Sequence, residues 1–143
     1  MEIIIHDTEL YPNFNPETIG SAAIDLKTPE NILLLPLDKI HLSCKISVWI
    51  KNKNVAGLVI PRSGVGDSGL AITHTIGLID SDYQGELILR LGNRNINKTL
   101  YFNRGYRLAQ LLFIPIIHPK FKQVLQFTQQ TKRGSGGCGS TGQ

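Results

Sequence analysis

Cysteine is scarce: the 143 residues hold only Cys44 and Cys138. They stand far apart and form no CxxC pair, so neither a disulfide framework nor a structural zinc site is expected, and a reducing cytoplasm is the expected compartment. No apolar run approaches the ~20 residues of a membrane-spanning helix. The stretch MEIIIHDTEL lacks a basic region leading into an apolar run and a small-residue cleavage site, so no secretory signal is expected. The four histidines, His6, His41, His74 and His118, form no HxH or HxxxH pair, which argues against a histidine-held metal. There is no GxSxG, and neither cysteine has a base beside it in sequence, so a nucleophilic triad has no support. Basic residues outnumber acidic ones by 15 to 11, giving a net charge of +4, yet no run of five or more gathers them. Without a basic stripe and interleaved aromatics, stable nucleic-acid binding is not expected. Scattered positive charge is either solvated surface or a match for a polyanionic ligand.

What is present suits one domain with a core that needs no staples. Short runs rich in Ile, Leu and Val recur at residues 32–35, 45–50, 55–60, 69–75, 85–91, 99–102, 108–114 and 124–127. Their roughly 8–12-residue spacing is that of an all-β sandwich or barrel. Pro36 and Pro115 closely follow apolar runs and suit strand ends. No segment sustains a 3.6-residue period, so any helix is expected to be a turn or two. From Thr131 the chain reads TKRGSGGCGSTGQ. That composition is either a flexible end or a segment whose N–H groups and hydroxyls close over phosphates.

The densest polar cluster is GLIDSDYQG at 77–85. It reads either as turn chemistry or as a site in which Asp80 activates a water. In an extended segment Asp80 and Asp82 share a face; a tight bend breaks that rule. PRSG at 61–64 closes an apolar strand. There Arg62 is either a surface charge or a phosphate ligand, and Ser63 and Gly64 either cap a short helix or offer N–H groups to an anion. SAAID at 21–25 adds one acid, Asp25, and says little alone. In RLAQLLF at 107–113, Arg107 and Gln110 read as edge or surface groups.

Taken in order, SAAID, PRSG, GLIDSDYQG, RLAQLLF and RGSGGCGSTG resemble the five motifs of the trimeric dUTPase family, and they span Ser21 to Gly142. The resemblance implies a β jelly-roll over 1–130, a homotrimer with sites shared between subunits, and an arm over 131–143 that closes on a bound ligand. It implies cleavage of dUTP to dUMP and pyrophosphate, which keeps uracil out of DNA and supplies dUMP for dTMP synthesis. By that likeness Asp80 deprotonates the water that attacks the α-phosphorus, and Tyr83 packs under the deoxyribose. Arg62, Ser63, Gly64 and Gln110 match phosphate contacts. Asp25 supports the arginine and the water shell of Mg²⁺, which is held mainly by triphosphate oxygens and water. Arg133, Ser140 and Thr141, with Gly139, match the groups that close on the γ-phosphate. The hairpin 74–88, including Gly77, Leu78, Ile79 and Ile88, is expected to read uracil through backbone groups. The sequence departs from the family at Cys138, where an aromatic usually stacks on the base, and at His74, where some relatives have an asparagine. Two rivals stay open. A dCTP deaminase of the same fold relies on a glutamate in the strand after the hairpin; here Glu86 opens that strand and no acid follows in ELILRLGN. A dUTPase-like trimer that binds a regulatory protein partner is the other.

Overall fold

The computed structural model describes residues 1–137. The strands are β1 (Glu2–Ile5), β2 (Ile24–Lys27), β3 (Ile32–Leu34), β4 (Lys39–Trp49), β5 (Val55–Pro61), β6 (Leu70–Ile72), β7 (Gly77–Ile79), β8 (Glu86–Asn93), β9 (Leu100–Phe102) and β10 (Arg107–Pro115). One 3₁₀ turn, Gly66–Ser68, is the helical element among the described residues. The strands pair antiparallel into two four-stranded sheets, ordered β1-β4-β8-β6 and β2-β10-β5-β7, with β3-β9 as a separate pair. No helix among the described residues is long and apolar enough to cross a membrane.

The two sheets pack because their strands alternate. In β8, Leu87, Leu89 and Leu91 are buried while Ile88 and Arg90 face outward. In β4, Leu42, Cys44, Ile46 and Val48 are buried. They meet Val59 of β5 and Leu108, Ala109 and Leu111 of β10 in one core. Burial among these apolar groups pushes the Cys44 thiol up to about 12, so this cysteine is packing rather than chemistry.

The expected strands from 55, 85, 99 and 108 form within a few residues of their expected ends. β4 begins at Lys39, well before residue 45, because Lys39 and His41 alternate with Ile40 and Leu42 and disguise the strand as polar. The stretch expected as a strand over 69–75 stops at Ile72, since Thr75 turns the chain with φ 62. β1, β2 and β7 went unread: each is three or four residues long and mostly exposed or half-buried. Residues 124–127 form no strand. They pair with no strand among the described residues, and Leu125 and Phe127 are 104% and 89% exposed.

Candidate active site

Register builds the first part of the site. Gln110 of β10 stands directly across from Asp25 of β2 on one side and Ile60 of β5 on the other. Arg62 follows the end of β5, and its N–H donates to the Leu108 carbonyl at 3.3 Å. Its guanidinium donates from Nη1 to Asp25 Oδ2 at 2.5 Å. Arg107 Nη1 donates to the same oxygen at 3.2 Å and lies 3.7 Å from Glu17. The Asp25 and Arg62 side chains are 17% and 30% exposed, so their attraction is less screened than a surface pair's. Arg62, Gly105, Tyr106 and Arg107 line a hollow of about 350 Å³. Ser63 and Gly64 lie exposed beside it. Ser63 caps nothing: the residue before the 3₁₀ turn is Val65.

Arg107, read as a surface group, therefore belongs to this cluster. Residues three apart on a regular strand face opposite ways, which would set Arg107 and Gln110 on different faces of β10. A register shift between Arg107 and Ala109 in the β2 pairing removes that constraint. The apolar pattern of 108–114 carries no sign of it.

The second part is a cleft of about 510 Å³, lined by His41, Val59, His74, Ile76, Gly77, Leu78, Ile79, Tyr83, Ile88 and Arg90. The expected His74, Gly77, Leu78, Ile79, Tyr83 and Ile88 thus meet in one place. His41 and Arg90 join them from β4 and β8, where they are cross-strand partners; nothing in their sequence context marks them.

The 74–88 segment is not a paired hairpin. β7 pairs with β5, whereas β8 pairs with β4 and β6. β7 is therefore an edge strand, and β6 reaches only the far end of β8, at Leu91 to Asn93. At Ile88 the β8 backbone pairs with Ser43 on one side only. The cleft opens between two strand edges with unused N–H and C=O groups.

Within it, Ile76 N–H donates to the His74 carbonyl at 2.7 Å, closing a three-residue turn around Thr75 at φ 62. A β-branched residue in that region is strained. The turn places the His74 ring beside Gly77, where a Cβ would come within 3.1 Å of Nε2 and 3.2 Å of Val59. His74 Nδ1 is buried, with no hydrogen-bond partner among the described residues. Asp80 is exposed at the start of a tight turn in which Tyr83 N–H donates to its carbonyl at 3.2 Å. This is the bend that breaks the shared face of Asp80 and Asp82. The Tyr83 hydroxyl donates to the Glu86 carbonyl at 2.8 Å. Its ring lies so close over Gly85 that a Cβ there would approach the hydroxyl to 2.4 Å.

One chain does not join the two parts. Ile79 pairs with Gly57 near the start of β5, whereas Arg62 lies past its end. Asp80, one residue further along, falls level with Ala56, so at ~3.3 Å per residue it is separated from Arg62 by roughly 20 Å along the strand. Arg133 is exposed and donates from Nε to Gly136 O at 2.9 Å within its own turn. Cys138, Gly139, Ser140 and Thr141 lie outside the described residues. Among the described residues no three His, Cys, Asp or Glu side chains converge as a metal cage.

The fold as a whole superposes on those of solved dUTPases. The dUTPase of Staphylococcus bacteriophage 80alpha, in a structure with dUPNHPP, superposes with a TM-score of 0.86 at 25% identity, covering 99% of this chain and 97% of that one. The D95N variant from phage phi11 of S. aureus, a protein that coordinates a structural Mg(II) ion, gives 0.78 at 25% identity over 88% and 97%. The dUTPase family model matches residues 11–142. Deoxyuridine 5'-triphosphate nucleotidohydrolases of Acinetobacter baylyi and Buchnera aphidicola are 43% and 39% identical, covering 88% and 99% of this chain and 85% and 97% of theirs. The chain belongs to the dUTPase family, a family of hydrolases.

Proposed function

We propose that this chain hydrolyses dUTP to dUMP and pyrophosphate, at sites completed between the copies of a homotrimer. The observation that carries the reading is the cleft between the β7 and β8 edges, with Tyr83 on its wall and the exposed Asp80 directly following the lining residue Ile79. An edge strand offers a carbonyl to uracil N3–H and an N–H to O4. Cytosine reverses both groups and would leave buried partners unsatisfied, a mismatch that discriminates strongly. Tyr83, fixed over Gly85, would pack under the deoxyribose and leave no room for a 2′-hydroxyl. Asp80 accepts the proton of the water that attacks the α-phosphorus, and pyrophosphate leaves.

The phosphates need charge and positioning more than covalent help. Arg62, aimed by Asp25 and seconded by Arg107, supplies charge in a second copy, with Ser63, Gly64 and Gln110 beside it. The segment 131–143 is read as an arm that brings Arg133, Ser140 and Thr141 to the γ-phosphate, with Cys138 and Gly139 near the base. Mg²⁺ would be carried mainly by triphosphate oxygens and water, and the half-buried Asp25 carboxylate, beside Arg62, could accept from that water. Bound there, the ion would neutralise phosphate charge.

The deaminase alternative needs a free glutamate in the cleft. The Glu86 carboxylate instead accepts the Ser43 hydroxyl proton, and only its carbonyl reaches Tyr83. Pyrophosphate release measured on dUTP, dCTP, dTTP and UTP tests the reading: strong preference for dUTP is expected, and ammonia from dCTP would replace it with the deaminase. Asp80→Asn should lower kcat by ~10²-fold or more with KM little changed. An unchanged kcat would reduce Asp80 to turn chemistry.

A further inference from the structure

β4 and β8 form the longest pairing of one sheet, but their ladder is interrupted. Lys39 to Ser43 pair regularly with Gly92 to Ile88; the next pair is Ser47 with Glu86. Four residues of β4 therefore advance against two of β8, and Lys45 takes φ 58 inside the bulge. Where a ladder is broken, the backbone opposite loses its regular hydrogen bonds and can shift. Glu86 is the β8 residue at which pairing resumes past the bulge, and its carbonyl holds the Tyr83 hydroxyl at 2.8 Å. The position of that carbonyl sets the tilt of the ring over Gly85.

A side-chain clamp spans the gap. Ser43 Oγ donates to Glu86 Oε2, and the same Oγ accepts the Lys45 N–H at 3.0 Å. Lys45 adds positive charge near the carboxylate, and His6 Nε2 meets Ser47 Oγ at 3.0 Å on the other side of the bulge. The Ser43 hydroxyl and the Lys45 charge hold the Glu86 carboxyl below its usual range, so it is ionised at neutral pH and accepts strongly. Neither side chain of the clamp lines the cleft.

We infer that Ser43 and Glu86 are positioning residues for Tyr83, and that their clamp across the β4 bulge sets how well the enzyme rejects a ribonucleotide. The inference rests on the proposed placement of Tyr83 under the sugar. Loosening the clamp would let the Glu86 carbonyl move, the ring tilt away from Gly85, and a 2′-hydroxyl enter.

The test compares kcat/KM for dUTP and UTP, with melting temperature, in Ser43→Ala, Ser43→Thr, Glu86→Ala, Glu86→Gln and Tyr83→Ala. Ser43→Ala and Glu86→Ala should each lower the dUTP-over-UTP ratio several-fold, mainly through KM. Ser43→Thr and Glu86→Gln, which keep a hydroxyl donor and an acceptor oxygen, should retain it. Adding Ser43→Ala to Tyr83→Ala should change the ratio no further. If Tyr83→Ala abolishes the preference while Ser43→Ala and Glu86→Ala leave it intact, the clamp is overturned and the sugar-facing tyrosine stands. If Tyr83→Ala also leaves it intact, the sugar-facing tyrosine falls and the clamp with it. Should Ser43→Ala fail to fold, Glu86→Ala against Glu86→Gln decides in the same way.

Discussion

Backbone conformation at single residues yields the most direct stability tests. Lys45 sits at φ 58 with a Cβ that glycine would not have. That conformation costs an L-residue ~1–2 kcal/mol, and glycine's extra freedom in the unfolded chain returns part of the gain. Lys45→Gly should therefore stabilise the fold by about 0.5–1 kcal/mol, read as a higher denaturant midpoint with unchanged slope. Asp7 gives the opposite kind of test. Arg104 donates to both its oxygens, at 2.7 and 3.0 Å, and Leu10 N–H adds a third bond, holding the carboxyl at about 2 against an ordinary 3.8. A depressed carboxyl adds stability above its unfolded pKa and loses it as pH falls from about 3.8 through 2. Asp7→Asn should melt lower than the native chain at neutral pH, and the two melting curves should converge towards pH 2. A gap that persists at that pH would assign the difference to packing. At this scale the sequence was a partial guide. Asp80, Tyr83 and the 77–79 run were legible because they are contiguous. Arg107 and Ser43 were not, because each reaches its partner through a broken register that no side-chain pattern announces.

Among the elements, the long strands declared themselves by alternation, and the short ones did not. β7 has three residues, two of which, Gly77 and Leu78, carry no strand signature together. Its importance is as an edge, a property of neighbours rather than of sequence. Residues 124–127 show the converse: a legible apolar run with no pairing among the described residues. Phe121 and Leu125 are 91% and 104% exposed in this chain, in a stretch without strand or helix. Apolar side chains held out in this way mark surface destined for a partner. In the proposed homotrimer that partner is a second copy. Phe121→Ser with Leu125→Ser should weaken assembly, read by sedimentation as a shift towards monomer, while the β-sheet signal in circular dichroism persists. A trimer that survives both substitutions at low concentration would place the contact elsewhere.

For the whole molecule, the division of labour along β5 can be tested by mixing. Chains carrying Asp80→Asn are combined, after dissociation and reassembly, with chains carrying Arg62→Ala. If Asp80 and Arg62 of one site come from different copies, some mixed trimers contain one site with both native residues. Activity should then exceed that of either parent. No recovery in trimers shown to be mixed would mean that each site lies within a subunit, and the roughly 20 Å along β5 would have to be closed by a movement of the chain.

The spacing that β5 imposes also reaches into the biology of dosage. On the proposed shared site, a single folded subunit holds a cleft at one end and charge at the other, with nothing to join them. Catalytic output would then scale more steeply than linearly with the amount of chain made, and dilution below the assembly threshold would silence well-folded protein. Each Asp80→Asn chain entering a trimer would idle one neighbour's arginine and one site, whereas a chain lacking both Asp80 and Arg62 would idle two, so a minority of doubly faulty copies would suppress more activity than their number.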